Sequence, residues 1–139
     1  MCIRDRSKRD KKVKSVQIQF SLLSPDFQKN TNVKRICENN NIDFLAYSPL
    51  SFGILCIDPE KDEEKQNSFL RSLIFKNYKK SSIELRRCLK QIAVSRSVSQ
   101  AQVAINWCCY QGAIPLVGMR KRSQVIDISN VFKLSLIHI

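Results

Sequence analysis

The sequence predicts an α/β domain built on a parallel sheet, because strand-like and helix-like segments alternate along it. Apolar and polar residues alternate over residues 15–23, which is the period of a half-buried strand. Residues 42–47 form a nearly continuous apolar run, as expected for a parallel strand that is covered on both faces. Residues 81–112 instead carry helical spacing and helix-capping signals. The alternation implies that these strands share one parallel sheet and are joined by right-handed crossovers.

Two strands and one helix are predicted in the first part of the chain. The first strand covers Ser15–Leu23, and the breaker Ser24-Pro25-Asp26 follows it. A helix is predicted over Asn32–Asn40, because the apolar residues at 33, 36 and 37 share one face. Consecutive asparagines close this helix, and the second strand, Ile42–Tyr47, then places Tyr47 at its end.

A long connection, Gly53–Lys80, separates the second strand from the next predicted helix. Its polar centre is expected to form a loop, and the apolar residues of 69–75 are expected to form a short amphipathic helix. Ser81 and Glu84 fit a capping box, which predicts that a helix begins there. The apolar spacing that follows predicts that this helix ends near Ser95.

The last part of the chain is predicted to hold two helices and one strand. A second capping box, with Ser99 as its first residue, opens a helix over Ala101–Gln111. Gly112 stands where a helix C-terminus favours glycine. A third strand is predicted over Ala113–Val117, and a final helix begins in Arg122–Asn130.

Length and composition favour one globular domain with few specialised features. The chain has 139 residues, of which 43% are hydrophobic and 26% charged. No apolar run approaches the ~18 residues of a membrane-spanning helix, so no membrane partner is expected. The net charge of +12 raises the alternative of a small basic nucleic-acid-binding domain. Residues 1–14 account for +5 of it, and no zinc-finger or RNP-like spacing is present, which argues against nucleic acid.

The cysteines favour an intracellular, reducing compartment. None of the six forms a CxxC pair, and the one histidine is His138, so no metal site is expected. Cys37, Cys88 and Cys108 fall at apolar positions of predicted helices. We expect these three to be buried, reduced thiols.

The two ends of the chain differ from its body. Residues 1–14 are expected to form a basic arm that is artefactual in part, because the run Met1–Ser7 resembles translated adapter sequence. Residues 134–139 are expected to be an artefactual tail for the same reason. The domain itself is therefore expected to cover residues 15–133.

Four blocks of this body, in order, resemble the carboxyl-terminal part of an aldo-keto reductase, closest to the plant and algal plastid-type members. Val16–Leu23 resembles the sixth strand of that family's (β/α)8 barrel, and Phe44–Leu50 resembles the seventh. Ser99–Trp107 resembles the helix before the last strand, and Ile114–Lys121 the eighth strand with its phosphate-binding turn. The resemblance implies an incomplete TIM barrel, about strands 6–8 with their helices, since closure needs eight strands. It also implies NADP(H) as the cofactor and the cytoplasm or a plastid as the compartment.

The resemblance further assigns cofactor contacts to particular side chains. Gln17, at the end of the sixth strand, would hydrogen-bond the nicotinamide carboxamide, and Tyr47 would stack on the nicotinamide ring. Ser48 and Leu50 would line the pyrophosphate path. Arg120 stands where the family usually has a lysine that contacts the 2′-phosphate. The segment that meets the adenosine phosphate and adenine contains Lys121, Gln124 and Asp127.

The sequence departs from the family's pattern at several positions, among them Ser97, which lacks the usual glycine cap, and residues 53–58, which lack a common Thr-Gly-Lys run. Val117 stands where a proline is usual before the glycine of the phosphate-binding turn. Ile128 stands where an asparagine that contacts adenine is expected. The adenine contacts are therefore less well defined than the nicotinamide contacts.

The family's catalytic residues are not recognised in this chain. Reduction of an aldehyde or ketone by NADPH uses a tyrosine, a lysine, an aspartate and a histidine on earlier strands, and the tyrosines at 47, 78 and 110 stand in other contexts. The chain is thus predicted to be a fragment of an oxidoreductase that binds the cofactor but is inactive alone. Its expected partners are a small carbonyl substrate and the missing amino-terminal half. The alternative is a non-catalytic, cofactor-binding regulatory protein of the same fold.

Overall fold

The computed structural model describes residues 13–23, 27–60, 78 and 82–131 of the chain. These ranges contain strands, α-helices and one short 3₁₀ segment in the alternating order that the sequence predicts. In chain order they are β1 Ser15–Gln19, α1 Phe27–Asn39, β2 Asp43–Tyr47, the 3₁₀ segment Ser51–Cys56, α2 Ile83–Arg96, α3 Gln100–Tyr110, β3 Ile114–Leu116 and α4 Arg122–Ser129.

The strands form one parallel sheet in the order β1-β2-β3, which confirms the predicted fold class. The register aligns two rows of side chains across one face of the sheet, about 7 Å apart because a strand rises ~3.3 Å per residue. The first row is Gln17, Leu45 and Ile114, and the second, nearer the carboxyl ends, is Gln19, Tyr47 and Leu116.

Helices cover the other face of the sheet and enclose a hydrophobic core. Phe44 and Ala46 of β2 are buried in it, and so is Phe20, which follows β1. Trp107 of α3 stacks on Phe20 with ring centroids 5.3 Å apart, and Phe44 meets the same ring edge-on at 5.1 Å. These aromatic contacts fix the helical layer against the sheet.

A second core joins α2 and α3 to the 3₁₀ segment. Leu55 is completely buried there, between Leu89 of α2 and Val103 of α3. Because this core anchors the chain that leaves β2, it holds the beginning of the long connection close to the sheet.

The face formed by the two rows is uncovered in the part of the chain that the structure describes. Ile114 is 49% exposed, Leu116 40% and Tyr47 38%, although all three are large apolar or aromatic residues. We call this face, with its six residues, the open face. Isolated exposed apolar residues are common, but a contiguous set on one sheet is typical of a surface that contacts another segment or another chain.

The strand β1 is four residues shorter than predicted. It ends at Gln19, and Ser21 turns inward to form a buried hydrogen bond, Oγ to Oγ at 2.7 Å, with Ser51. The Ser21 hydroxyl also accepts from the Leu23 backbone N–H at 3.3 Å. Apolar and polar residues keep alternating through this turn, because Phe20 and Leu22 still pack in the hydrophobic cores. The alternation in the sequence therefore does not show where the strand ends.

Helix boundaries differ from the predictions where capping signals compete. Helix α1 begins at Phe27 rather than Asn32, and the pair Pro25-Asp26 that precedes it is a typical start signal. Helix α2 has Ser82 as its N-cap, so the prediction of Ser81 as the N-cap is wrong by one residue. Ser82 makes no side-chain capping bond, and Ser81 lies outside the described residues.

The second predicted capping box is confirmed. The Ser99 hydroxyl accepts from the Gln102 N–H at 3.1 Å, and the Gln102 side chain accepts from the Ser99 N–H at 3.3 Å. Gly112 follows this helix with a φ of 78°, the left-handed conformation that glycine adopts without strain.

Several predictions lie outside the described residues or are corrected within them. The short helix predicted over 69–75, the breaker at 24–26, residues 1–12 and the tail at 134–139 are outside them. Cys37 and Cys108 are buried as predicted, but Cys88 is exposed. It lies at the margin of the apolar stripe of α2, and the packing of Leu89 in the second core turns it outward.

Candidate functional site at the carboxyl edge of the sheet

The carboxyl ends of the strands bring an aromatic side chain to the edge of the open face. Tyr47 is the last residue of β2, and Gln19 and Leu116 flank it in the register. Its side chain is 38% exposed, so one part of the ring is supported and another is accessible. In folds with parallel strands, ligands bind beyond this edge.

Gln17 lies on the same face but not at the strand end. It is the third residue of β1, with Gln19 after it, and it pairs with Leu45 rather than Tyr47. Its predicted place at the end of the strand is therefore corrected. The amide remains exposed on the open face, one row below Tyr47, and has both a donor and an acceptor.

The loop after β2 has an unusual backbone. Ser48, Ser51 and Phe52 have φ values of 53°, 47° and 59°, and Gly53 follows at 88°. A left-handed conformation costs an L-residue roughly 1–2 kcal/mol, so three such residues in six positions must be held by the surrounding structure. Strained backbone of this kind clusters at ligand-binding sites.

Contacts on both sides hold this loop in place. The Ser51 N–H donates to the Ser48 carbonyl at 2.9 Å, and the Gly53 N–H donates to the Leu50 carbonyl at 2.9 Å. The Ser21–Ser51 hydrogen bond ties the loop to the chain after β1. Sequence reasoning missed Ser21 and Ser51 as a pair, and nothing local could have found it, because they are thirty positions apart.

The chain beyond the loop is tied to an outer helix. The Lys90 ammonium of α2 donates to Asp58 Oδ1 at 2.9 Å and to Glu60 Oε2 at 3.1 Å. The hydrogen bond with Asp58, and then that with Glu60, raises the pKa of Lys90 above its usual value. Glu60 is exposed and the Lys90–Asp58 pair is only partly buried, so these ion pairs fix the path of the chain more than they stabilise the fold.

The turn between β3 and α4 carries two of the predicted cationic residues. Arg120 and Lys121 are exposed, and their backbone N–H groups donate to Gln124 Oε1 at 2.8 and 3.0 Å. The Gln124 side chain therefore folds back over the first turn of α4 and satisfies donors that a helix start leaves unpaired. Because Leu116 lies beside Tyr47, this turn begins at the same edge of the sheet.

Asp127, also predicted to lie near the adenosine, is engaged with helix α3. Its Oδ2 accepts from the Ser99 hydroxyl at 2.7 Å, and its carbonyl accepts from Gln102 Nε2 at 2.6 Å. The structure thus places Tyr47 and Ser48 at the carboxyl edge of the sheet and Gln17 one row below them on the open face. The side chains of Gln124 and Asp127 form internal hydrogen bonds instead.

A cavity of about 310 Å³ lies at the opposite end of the sheet. Lys34, Glu38 and Asp43 line it, together with Gly112 and Ile114. None of the predicted site residues borders this cavity, and the amino ends of parallel strands do not carry active sites, so we assign it no ligand.

Other classes of site are not found in the described part of the chain. Among residues 13–23, 27–60, 78 and 82–131, no three His, Cys, Asp or Glu side chains come together as a metal site requires. Within the same ranges, no helix has the length and apolar character needed to cross a membrane.

Comparisons with known proteins give the chain a family. A model of the Aldo/keto reductase family matches residues 2–138. The chain is 35% identical over 113 residues to the chloroplastic pyridoxal reductase of Arabidopsis thaliana, covering 81% of this chain and 30% of that protein. It is 26% identical over 120 residues to the aldo-keto reductase yakc [NADP(+)] of Schizosaccharomyces pombe, covering 78% and 34%.

Solved structures agree with the sequence relatives. A glycerol dehydrogenase from Gluconobacter oxydans superposes with a TM-score of 0.73 and 27% identity, covering 88% of this chain and 38% of that one. A thermostable aldo-keto reductase superposes with a TM-score of 0.69 at 13% identity, covering 97% and 40%, which shows the fold alone. The chain thus spans 30% and 34% of the two curated relatives and 40% or less of the two solved structures.

Proposed function

Because this chain belongs to the aldo/keto reductase family, we propose that it is the carboxyl-terminal part of an NADP(H)-dependent oxidoreductase that reduces aldehydes or ketones to alcohols. The three strands of the described residues correspond to three of the eight in the family's (β/α)8 barrel, and the open face is then part of the barrel's inner wall. One observation carries the proposal: Tyr47 and Gln17 share the open face beside a strained loop and a basic turn.

The exposed groups fit the parts of a nicotinamide dinucleotide. Tyr47 offers a partly supported ring for stacking on the nicotinamide, and the Gln17 amide offers a donor and an acceptor for its carboxamide. Ser48 and Leu50, half-buried in the strained loop, line the pyrophosphate path. The exposed cations Arg120 and Lys121 suit the 2′-phosphate, and Arg120 can bind it through two parallel hydrogen bonds.

The chain supplies binding and orientation rather than chemistry. When bound, the cofactor supplies the hydride that reduces a carbonyl group. The residues that donate the proton belong to strands that precede this chain in the family's barrel. The 139-residue chain alone is therefore expected to be inactive, and its first partner is the amino-terminal half of the barrel.

The compartment proposed is the cytoplasm or a plastid. The buried thiols Cys37 and Cys108 fit a reducing environment, and the 35%-identical relative is named a chloroplastic protein. The carbonyl class of the substrate is supported by the name of the same relative, a pyridoxal reductase.

The proposal is tested with the polypeptide that joins this chain to its upstream coding sequence, which we call the intact protein. NADPH binding is followed by fluorescence, and NADPH oxidation is followed with a panel of aldehydes that includes pyridoxal. We expect binding and turnover by the intact protein, and no turnover by the 139-residue chain. An intact protein that binds neither NADPH nor NADH would overturn the proposal.

Tyr47 gives the sharpest single test of the assigned cofactor contacts. Tyr47→Ala in the intact protein removes a stacking partner worth up to about 1.5 kcal/mol, so NADPH affinity should fall about tenfold. Tyr47→Phe keeps the ring and should stay within about twofold of the wild type. Tyr110→Ala is the matched control, because Tyr110 is 68% exposed at the end of α3, near the opposite edge of the sheet. Equal losses at Tyr47 and Tyr110 would contradict the assigned contact.

A further inference from the structure

Helix α4, which follows the basic turn, has no buried side chain of its own. Its residues 122–126 are exposed, and only at Asp127 and Ile128 does it become half-buried. An eight-residue helix is marginal without tertiary support. The position of α4 must therefore be fixed by side chains that reach it from neighbouring elements.

Polar side chains of α3 supply those contacts along one stripe. Ser99, Gln102 and Asn106 are spaced three and four residues apart, so they lie on one face of the helix and its N-cap. Ser99 donates to the Asp127 carboxylate, Gln102 donates to the Asp127 carbonyl, and Asn106 Nδ2 donates to the Val131 carbonyl at 3.0 Å. Gln102 is 5% exposed and Asn106 9%. The bond from Asn106 is therefore buried, and the bond from Gln102 is partly shielded from water.

Ser99 and Gln102 also bond to each other, and this makes their contact with α4 rigid. The reciprocal capping box fixes both side chains at the first turn of α3. A side chain that is held at two points loses little further freedom when it binds a third. Asp127 therefore meets a pre-organised pair, a hydroxyl for its carboxylate and an amide for its carbonyl.

The other end of this arrangement is the phosphate turn. Gln124 lies one helical turn before Asp127, and its side chain holds the backbone N–H groups of Arg120 and Lys121. Hydrogen bonds thus connect Ser99 and Gln102 to Asp127 at one end of this helix, and Gln124 to the turn with the exposed cations at the other.

We propose that Ser99 and Gln102 are positioning residues for recognition of the cofactor's 2′-phosphate, acting through Asp127 on the turn that carries Arg120 and Lys121. This inference rests on the proposed function. It changes the role expected for Asp127, whose carboxylate holds helix α4 against α3 instead of contacting the adenosine. Ser99 and Gln102 fix the position of the turn, and its cations, Arg120 and Lys121, contact the 2′-phosphate.

The test compares the binding of two probes to the intact protein, adenosine 2′,5′-bisphosphate and adenosine 5′-monophosphate, by calorimetry. The first has the 2′-phosphate and the second has a hydroxyl in its place. Ser99→Ala and Gln102→Met should weaken binding of the bisphosphate about tenfold, the effect of losing a charge-assisted or shielded hydrogen bond. Binding of the monophosphate should weaken by less than about twofold. The ratio of the two dissociation constants is a readout that a general loss of stability does not move.

Variants of Asp127 separate positioning from direct contact. Asp127→Ala should reduce the preference for the bisphosphate as much as Ser99→Ala does. The double variant should lose no more of this preference than either single variant, because both substitutions remove the same hydrogen bond. Asp127→Asn keeps an acceptor for Ser99 and should recover most of the ratio. Asn106→Ala is the control, because it removes a shielded contact to Val131 beyond the far end of α4.

A second measurement keeps the inference testable if no nucleotide binds. Hydrogen exchange of the amides in residues 118–127 should be about tenfold faster in Gln102→Met than in the wild type, while β2 and α2 keep their protection. Unchanged exchange in that segment, or additive losses in the Ser99 and Asp127 double variant, would overturn the positioning role. Failure of the wild type to prefer the bisphosphate would instead count against the proposed cofactor.

Discussion

At the scale of single residues, burial decides how the cysteines behave. Cys108 lies in the core beneath the sheet, and burial raises its pKa from 9.0 to about 12, with a smaller contribution from Cys109. Burial likewise raises the pKa of Cys37, helped by the charge of Glu38. Cys88 instead lies exposed on α2. The two environments predict very different thiol chemistry within one chain.

Alkylation by iodoacetamide at pH 8 should therefore distinguish Cys108 from Cys88. The thiolate is the reactive form, so the rise in the pKa of Cys108 from 9.0 to about 12 lowers the reactive fraction of that thiol about a thousandfold before access is considered. Peptide mapping over time should show Cys88 modified first and Cys108 modified only after unfolding in denaturant. Modification of Cys108 at the rate of Cys88 in the folded protein would contradict its burial.

The sequence predicted the burial of some side chains correctly, but not that of others and not the backbone conformation of the loop after β2. The stripe of α2 predicted Leu85, Leu89 and Ile92 as packed residues, as observed, but it placed Cys88 on the wrong side because a helix can rotate slightly about its axis. The left-handed Ser51 and Phe52 could not be predicted at all. Their backbone is imposed by contacts such as that with Ser21, which only the folded chain brings near.

At the scale of elements, short local signals were the reliable ones. The capping box at Ser99 was predicted correctly because both of its partners lie within one turn. The one at Ser81 failed because two adjacent serines offer alternative starts, and the helix uses Ser82. The length of β1 failed for a different reason, since its end depends on the Ser21 contact with a distant loop.

The turn from α3 to β3 depends on one glycine, and this gives a stability test. Gly112 has a φ of 78°, and an added methyl group would lie 3.7 Å from Lys34 Cε, an ordinary contact. Gly112→Ala should therefore destabilise the intact protein by about 1 kcal/mol through backbone strain rather than through a clash.

Gly118 provides the matched control for that change. Its φ lies outside the left-handed region, and an added methyl group meets no described atom within 4 Å. Gly118→Ala should leave the free energy of unfolding in urea nearly unchanged or slightly higher. If both alanine variants lose stability equally, the backbone conformation at residue 112 is not the cause.

At the scale of the whole molecule, the main feature is a sheet with one covered face and one open face. The open face combines exposed Ile114 and Leu116 with Tyr47, and β1 and β3 are both edge strands among the described residues. Unpaired edges and exposed apolar rows favour association with another chain. In the family's barrel, both features are satisfied by the strands that precede this part of the chain.

The 139-residue chain expressed alone should therefore self-associate through the open face. Replacing Ile114 and Leu116 with lysine places two like charges on that face, so light scattering at low salt should show a smaller mean mass than for the wild type. Val94→Lys is the control, because Val94 is 72% exposed on α2, away from the sheet, and its replacement should leave the mean mass unchanged. In the intact protein the same two lysines would enter the barrel interior and should destabilise it by several kcal/mol, since buried charges without partners are costly. A chain that stays monomeric without these substitutions, or an intact protein that tolerates them, would show that the open face is not the inner wall of a barrel.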